Sequence, residues 1–147
     1  MKKLSTLLIV LFCTLMTSQA IKINSKTEIK PYSIKIEKIE YVGDKSLIYG
    51  KVRQQKRFSY SISFEDCLII SSRNPNGVQG RLIEWNNNKK FNGPERPISD
   101  SHEDKFVLEF PNAAVPVNES FNLRIGTILN KQKTPLIIEN LSIQRKK

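Results

Sequence analysis

Residues 58–64 read Phe58-Ser59-Tyr60-Ser61-Ile62-Ser63-Phe64, so that apolar and serine positions alternate strictly. Successive side chains of a β-strand point to opposite faces of a sheet. This period of two therefore predicts a strand with one buried face and with serines toward water. Residues 120–125 repeat this alternation, and in residues 105–110 the apolar Phe106, Leu108 and Phe110 share one face. The recurrence predicts a protein built from several half-buried strands.

Turn signals divide the rest of the chain into similar short segments. Gly43-Asp44-Lys45 predicts a short hairpin, and Asn74-Pro75-Asn76-Gly77 predicts a tight turn because Asn-Gly tolerates positive φ. The apolar phase of residues 32–42 slips near Glu37-Lys38, which predicts a β-bulge. Because no segment has the period of an amphipathic helix, the spacing favours an all-β sandwich of seven to eight strands, with a small closed barrel as the alternative.

Two parts of the chain carry a family resemblance. Residues 34–42 and 46–52 have the pattern of an opening hairpin, and residues 106–111 with 121–143 have that of a late strand–proline–strand segment. Together they resemble the small secreted immunoglobulin-like domains of Gram-negative bacterial envelopes, which are mostly uncharacterised. The resemblance implies an immunoglobulin-like antiparallel β-sandwich and no particular activity, because function on such folds belongs to individual sites.

The first 20 residues have the pattern of a secretory signal peptide. Two lysines follow Met1, residues 7–16 are apolar apart from one threonine, and the segment ends on small residues up to Ala20. We therefore expect cleavage after Ala20 and a secreted or periplasmic location. The apolar run is too short to span a bilayer, and we expect no transmembrane segment once it is removed.

The cysteines bear on anchoring and on redox chemistry. A small residue normally precedes a lipidated cysteine, but Phe12 precedes Cys13, which argues against a lipid anchor. Removal of the signal peptide leaves Cys67 alone, and a lone cysteine forms no intramolecular disulfide. Because Leu68 and two isoleucines follow it, we expect Cys67 to be a small buried hydrophobic residue rather than a reactive thiol.

The remaining chain has the size of one domain. We expect residues 21–31, which are polar and basic, to form a flexible N-terminal arm, and residues 32–147 to form the sandwich. The chain holds 24 Lys and Arg against 14 Asp and Glu, and the signal peptide removes two of the lysines, so the mature net charge is +8. This charge favours an anionic partner, although a lysine-rich composition alone could produce it.

No pattern in the sequence predicts catalysis, a cofactor or a metal. His102 is the only histidine, and neither Cys67 nor any serine has the signature of a nucleophile around it. A structural zinc site needs about four Cys or His ligands. Residues 100–104 include three acids but lack the order of an EF-hand, and the glycines are scattered rather than clustered around a phosphate. We therefore expect a protein that is not an enzyme.

Residues 86–104 form an unusually long polar connection, and loops of this length are often functional. Aromatic, amide and cationic side chains cluster at its start, a combination that suits acidic glycans or phosphates. The alternative for the aromatic member at position 85 is the buried tryptophan of a sandwich core. The candidate binding residues here are Trp85, Asn87, Lys89, Lys90, Phe91 and Arg96.

A second basic group is the set Lys51, Arg53 and Arg57, whose even spacing places the side chains on one face if a strand continues. The alternative is a charged sheet edge that discourages strand addition. The function that these features favour is a non-catalytic exported binding module for an envelope protein or an anionic surface polymer, with no specific binding of nucleic acid. The alternative is an inhibitor or immunity-type protein that neutralises one enzyme.

Overall fold

The computed structural model describes residues 19–29, 32–54, 60–90, 93, 95–111, 115–116, 119–129 and 132–142. Within these ranges all regular structure is β-strand, and no helix is long and apolar enough to cross a membrane. The ten strands are β1 (Gln19–Ile29), β2 (Tyr32–Val42), β3 (Lys45–Gln54), β4 (Tyr60–Ser71), β5 (Val78–Gln79), β6 (Arg81–Trp85), β7 (Glu95–Pro97), β8 (Asp104–Pro111), β9 (Ser120–Leu129) and β10 (Gln132–Ser142).

The strands form two antiparallel sheets. The first sheet has the order β1-β2-β3-β8-β6, and the second has the order β10-β9-β4-β5, with β7 also paired to β4. If β2 is taken as strand A, the first sheet is A-B-E-D, preceded by the extra strand β1, and the second is G-F-C with a short strand beside C. This is the strand order of the immunoglobulin fold. The predicted immunoglobulin-like β-sandwich is therefore confirmed.

The core lies between the two sheets and is made by alternate residues of each strand. The largest fully buried side chains are Phe106, Phe110, Phe121, Ile36, Ile39, Ile48, Ile62, Ile69, Leu108, Leu123, Ile125 and Ile138. On β3 burial alternates along the whole strand, so the odd-numbered positions face outward. This alternation follows directly from the period of two in the sequence.

Several local predictions are confirmed. Gly43 and Asp44 form the two-residue link between β2 and β3, and Gly43 has φ 60°. The β2–β3 register shifts between Ile36 and Lys38, at the predicted bulge. In the second predicted turn the Gly77 amide donates to the Asn74 carbonyl over 3.0 Å.

The strand count of the described residues exceeds the predicted seven to eight because residues 19–29 and 95–97 form the additional strands β1 and β7. The chain also exchanges sheets at Gly80, which separates β5 in the second sheet from β6 in the first. A Cβ at Gly80 would lie 2.3 Å from the Phe110 ring. The exchange therefore requires a residue without a side chain at the point where the backbone crosses this ring.

Most of the segment expected to form a flexible N-terminal arm, residues 21–31, lies in a strand. Residues 19–29 form β1, which pairs antiparallel with β2 and occupies the edge of the first sheet. Polar composition suggested an arm, but isoleucine and threonine favour extended backbone, and the free edge of β2 offers a row of hydrogen-bonding groups. β1 begins at Gln19, so cleavage after Ala20 would remove only its first two residues.

Cys67 is buried, as the sequence predicts. Burial raises the pKa of its thiol, because desolvation penalises the thiolate. We therefore expect the folded domain to resist alkylation by iodoacetamide and the denatured chain to react fully. Mass spectrometry before and after addition of denaturant measures this difference. Rapid labelling of Cys67 under native conditions would contradict the burial.

Candidate functional site

Trp85 lies at the end of β6 and is only half-buried. Its ring contacts Phe64 edge-to-face, with the ring centroids 5.8 Å apart and the planes at 63°. Aromatic pairs prefer this geometry, and it attaches Trp85 to the core. The structure thus gives Trp85 a packing role, which corresponds to the alternative of a core tryptophan, and leaves part of the residue exposed.

The three asparagines after Trp85 build a tight turn. Asn86 and Asn87 have φ of 50° and 65°, and Trp85 and Asn88 exchange two backbone hydrogen bonds of 2.9 Å. Two successive residues with positive φ are typical of a type I′ turn, which asparagine tolerates better than most residues. The asparagines therefore shape the backbone, and the turn presents Asn87, Lys89 and Lys90 as exposed residues.

Asp104 connects this turn to the rest of the crossover between β6 and β8. The Asp104 side chain is 4% exposed and lies at the first position of β8. Its carboxylate accepts hydrogen bonds from the Ser99 amide over 2.6 Å and from Asn86 Nδ2 over 2.7 Å. His102 Nε2 lies 3.3 Å from Asp104 Oδ1. The buried Asp104 carboxylate thus binds both the start of the predicted loop, at Asn86, and its later part, at Ser99.

The same contacts bring a serine, a histidine and an aspartate together, which the sequence did not predict. Ser99 Oγ lies 2.9 Å from His102 Nδ1, and it also accepts hydrogen bonds from the amides of Ser101 and His102. A nucleophilic serine would need its oxygen directed at a substrate carbonyl. Here the oxygen serves a local turn, an arrangement typical of serine in loops. We interpret the group as a structural cluster.

Arg96, one of the predicted binding residues, is buried in a strand rather than exposed in a loop. Residues 95–97 form β7, in which Arg96 pairs with Ile62 of β4. Arg96 is 8% exposed, and its Nη1 donates to the Glu95 carbonyl over 2.5 Å. The connection 86–104 looked irregular because it is polar, but β7 is too short to show a period in the sequence.

Two more candidates, Phe91 and Arg57, lie outside the described residues. Lys51 and Arg53 are described, and both occupy outward positions on β3, as predicted. Lys105 of β8 lies directly opposite Lys51 in the β3–β8 register and is exposed. The Lys105 amide and carbonyl both bond to Asn86, so the turn of Lys89 and Lys90 adjoins the same end of the first sheet.

These cations form one surface, which we call the cationic surface. It consists of Lys51, Arg53, Lys89, Lys90 and Lys105. The sequence missed Lys105, because only the pairing of β3 with β8 brings it beside Lys51 across more than 50 positions of chain. No motif could have indicated it, although the alternation of residues 105–110 places it on an outward face.

The other cations of the described sheets mostly have acidic partners. Lys45 and Arg81 both bind Glu109, at 3.2 and 2.6 Å, Lys133 binds Glu65 at 3.0 Å, and Arg73 binds Glu119. By contrast, Arg53, Lys89, Lys90 and Lys105 make no ion pair with the described carboxylates. Four of the five residues of the cationic surface thus carry a charge that no described carboxylate neutralises, and this charge can attract an anion.

Lys51 is the exception within this surface. Its Nζ lies 2.8 Å from Glu37 Oε1 and 3.8 Å from Glu103 Oε2. The hydrogen bond to Glu37, supported by Glu103, raises the pKa of Lys51 above its ordinary value. Lys51 is therefore charged at any physiological pH, and its partners, half-buried Glu37 and exposed Glu103, are carboxylates that an external anion can replace.

Among the residues that the structure describes, no three His, Cys, Asp or Glu side chains come together as metal ligands.

Comparisons with known proteins assign no family. No family model matches the chain, and no curated protein matches it. Among solved structures, the GAE domain of GGA2p from Saccharomyces cerevisiae is similar with a TM-score of 0.34 and 10% sequence identity. The match covers 79% of this chain and 93% of that chain. At this level of similarity the fold assignment rests on the strand order alone.

Proposed function

We propose that this domain is an exported, non-catalytic binding module that contacts an anionic polymer at a bacterial envelope through the cationic surface. The observation that carries the proposal is the convergence of cations from three separate segments, around positions 51–53, 89–90 and 105, on one end of the first sheet. Export is supported by the signal-peptide pattern and by the resemblance to secreted immunoglobulin-like domains.

The rigidity of this surface supports a binding role. β3 and β8 are interior strands of the first sheet, and the Asp104 contacts hold the turn that carries Lys89 and Lys90 against β8. A ligand that meets ordered side chains loses less entropy on binding than one that must order a loop. The cations therefore form a preorganised site rather than a mobile basic loop.

Retention on immobilised polymers tests this function. The chain is secreted with its own leader, purified, and passed over polygalacturonate or neutral dextran at low and at moderate salt. We expect retention on polygalacturonate at low salt, weaker retention at moderate salt, and none on dextran, because exposed charges are screened by ions.

Matched variants locate the contact. We expect Lys89→Gln/Lys90→Gln to elute at lower salt than the wild type and than Arg73→Gln/Lys133→Gln, which loses the same charge from the second sheet and its flanking turn. Equal elution of the two variants would place the contact elsewhere. A rate of activated-ester hydrolysis that falls on Ser99→Ala would contradict the non-catalytic part of the proposal.

A further inference from the structure

Three lysines occupy the same level on three neighbouring strands. Lys35 of β2 pairs with Lys51 of β3, and Lys51 pairs with Lys105 of β8. The neighbours of each along its strand are buried, so all three side chains lie on the outer face of the first sheet. We call Lys35, Lys51 and Lys105 the lysine row.

The backbone register extends the line of lysines by one more strand, to β1. Lys26 of β1 lies opposite Lys35 in the β1–β2 register. Arg53 occupies the next outward position on β3 after Lys51. Four adjacent strands therefore carry a lysine at one register level, in a line that runs across the strands rather than along any one of them.

The lysine row places like charges opposite each other, a cost that nearby carboxylates must offset. Like charges directly opposite on neighbouring strands repel each other and destabilise a sheet. Glu37 relieves only part of the repulsion, since its Oε1 lies 2.8 Å from Lys51 and 3.9 Å from Lys35, and Glu103 adds one contact at 3.8 Å. Lys105 has no such partner among the described carboxylates. Lysines paired with acidic residues across the strands would stabilise the sheet better than lysines paired with lysines. Binding of an anionic ligand would explain why lysine occurs at all three positions.

The spacing of the row identifies the shape of that ligand. Neighbouring strands lie about 4.8 Å apart, so successive lysines repeat at roughly that interval across the sheet. A single small anion would reach one or two of them. A chain with anionic groups in regular succession would meet one lysine at each strand.

We infer that the ligand is a linear polyanion that lies across the strands of the first sheet along the lysine row, with its carboxylate or phosphate groups on Lys35, Lys51 and Lys105. This inference rests on the proposed function and adds the orientation and repeat of the ligand. In the free protein Glu37 and Glu103 form ion pairs with Lys51, and an anionic group of the bound polymer replaces them. They therefore compete with the ligand instead of contributing to its binding.

The test measures, by titration calorimetry at fixed salt, the affinity of the wild type and of three double variants for polygalacturonate and polyphosphate chains of graded length. Lys51→Gln/Lys105→Gln is expected to weaken binding about tenfold, since each cation near an anionic surface contributes on the order of 1 kcal/mol before screening. Lys45→Gln/Lys133→Gln loses the same charge away from the row and is the control. Glu37→Gln/Glu103→Gln is expected to tighten binding, a change of opposite sign that general loss of structure would not produce.

Chain length gives an independent readout. Monomeric galacturonate and inorganic phosphate are expected to bind far more weakly per anionic group than the polymers, with affinity levelling off once a chain spans the row. Tighter binding of one polymer supports the inference and identifies the anionic group. Thermal melts check folding, and Lys51→Gln/Lys105→Gln is expected to melt near the wild-type temperature, because the loss of the Lys51–Glu37 hydrogen bond offsets the relief of repulsion.

The two levels of the proposal fail in different ways. If the wild type binds both polymers but Lys51→Gln/Lys105→Gln matches its control, the lysine row is not the contact and the proposed function stands. If Glu37→Gln/Glu103→Gln weakens binding, the competing role of the carboxylates is overturned. If the wild type binds neither polymer at low salt, the proposed function falls and the inference with it.

Discussion

Gly50→Ala is expected to destabilise the domain by about 3 kcal/mol, at the upper end of the usual range for overpacking a core. A Cβ at Gly50 would lie 2.3 Å from Phe106 Cζ and under 3 Å from two further ring carbons. Phe106 is 1% exposed and packs against Phe64 with the ring centroids 5.8 Å apart, so its ring has little room to move. Chemical denaturation of the variant and the wild type measures the difference.

A second variant identifies the cause of this loss. Gly50→Ala/Phe106→Leu removes the colliding ring carbons, and we expect it to be less destabilised than the sum of the two single variants, as residues in contact are coupled. Additive losses would show that the alanine methyl does not meet Phe106. The pair matters for function because Gly50 lies opposite Phe106 one position before the Lys51–Lys105 pair. The fit of glycine and phenylalanine helps to set the register that aligns the lysines.

Asp104→Ala is expected to cost about 3 kcal/mol of stability, because removing one partner leaves buried polar groups without hydrogen bonds. The Ser99 amide and Asn86 Nδ2 both lose their carboxylate acceptor, and the His102 ring loses its contact at 3.3 Å. Asp66→Ala, at an exposed position of β4, is the control and should change stability by less than about 0.5 kcal/mol. Denaturation midpoints of the two variants test the difference.

The same substitution has a local consequence that separates it from general unfolding. Asn86 loses the hydrogen bond of its side-chain nitrogen to β8, and hydrogen exchange of the Lys105 amide, which donates to Asn86 Oδ1 over 2.8 Å, is expected to accelerate first. Unchanged exchange at Lys105 together with full stability would mean that Asp104 does not hold the turn. Such a result would remove the argument for a preorganised cationic surface.

The fold was predictable from the sequence because its determinants are local. Alternation over residues 58–64 and 105–110 predicted strands, and the phase slip near Glu37 predicted the bulge in β2. The prediction that the serines of 58–64 face water is wrong for Ser63, which is fully buried where β7 pairs with β4. The hairpin at Gly43 and the turn at Gly77 depend on residues that adopt positive φ. Glycine at these positions can be recognised directly in the sequence. Burial of Cys67 followed from its apolar neighbours.

The errors concern segments whose structure depends on a partner strand. β1 is stabilised by backbone pairing with β2, and β7 is stabilised by backbone pairing with β4 around Ile62. Neither segment has a strong period of its own. Arg96 was therefore placed among the binding residues of a long connection, and the strand that contains it was not predicted.

The candidate site divides in the same way. The sequence by itself determined that strands with outward lysines exist, that Lys51 and Arg53 share a face, and that the domain is strongly basic, because side-chain direction along one strand follows from a period of two. Only the tertiary structure decided that Lys35, Lys51 and Lys105 stand in one row and that Asp104 holds Asn86 beside them. Register between strands distant in sequence is set by core packing, such as Gly50 against Phe106, and no local pattern records it.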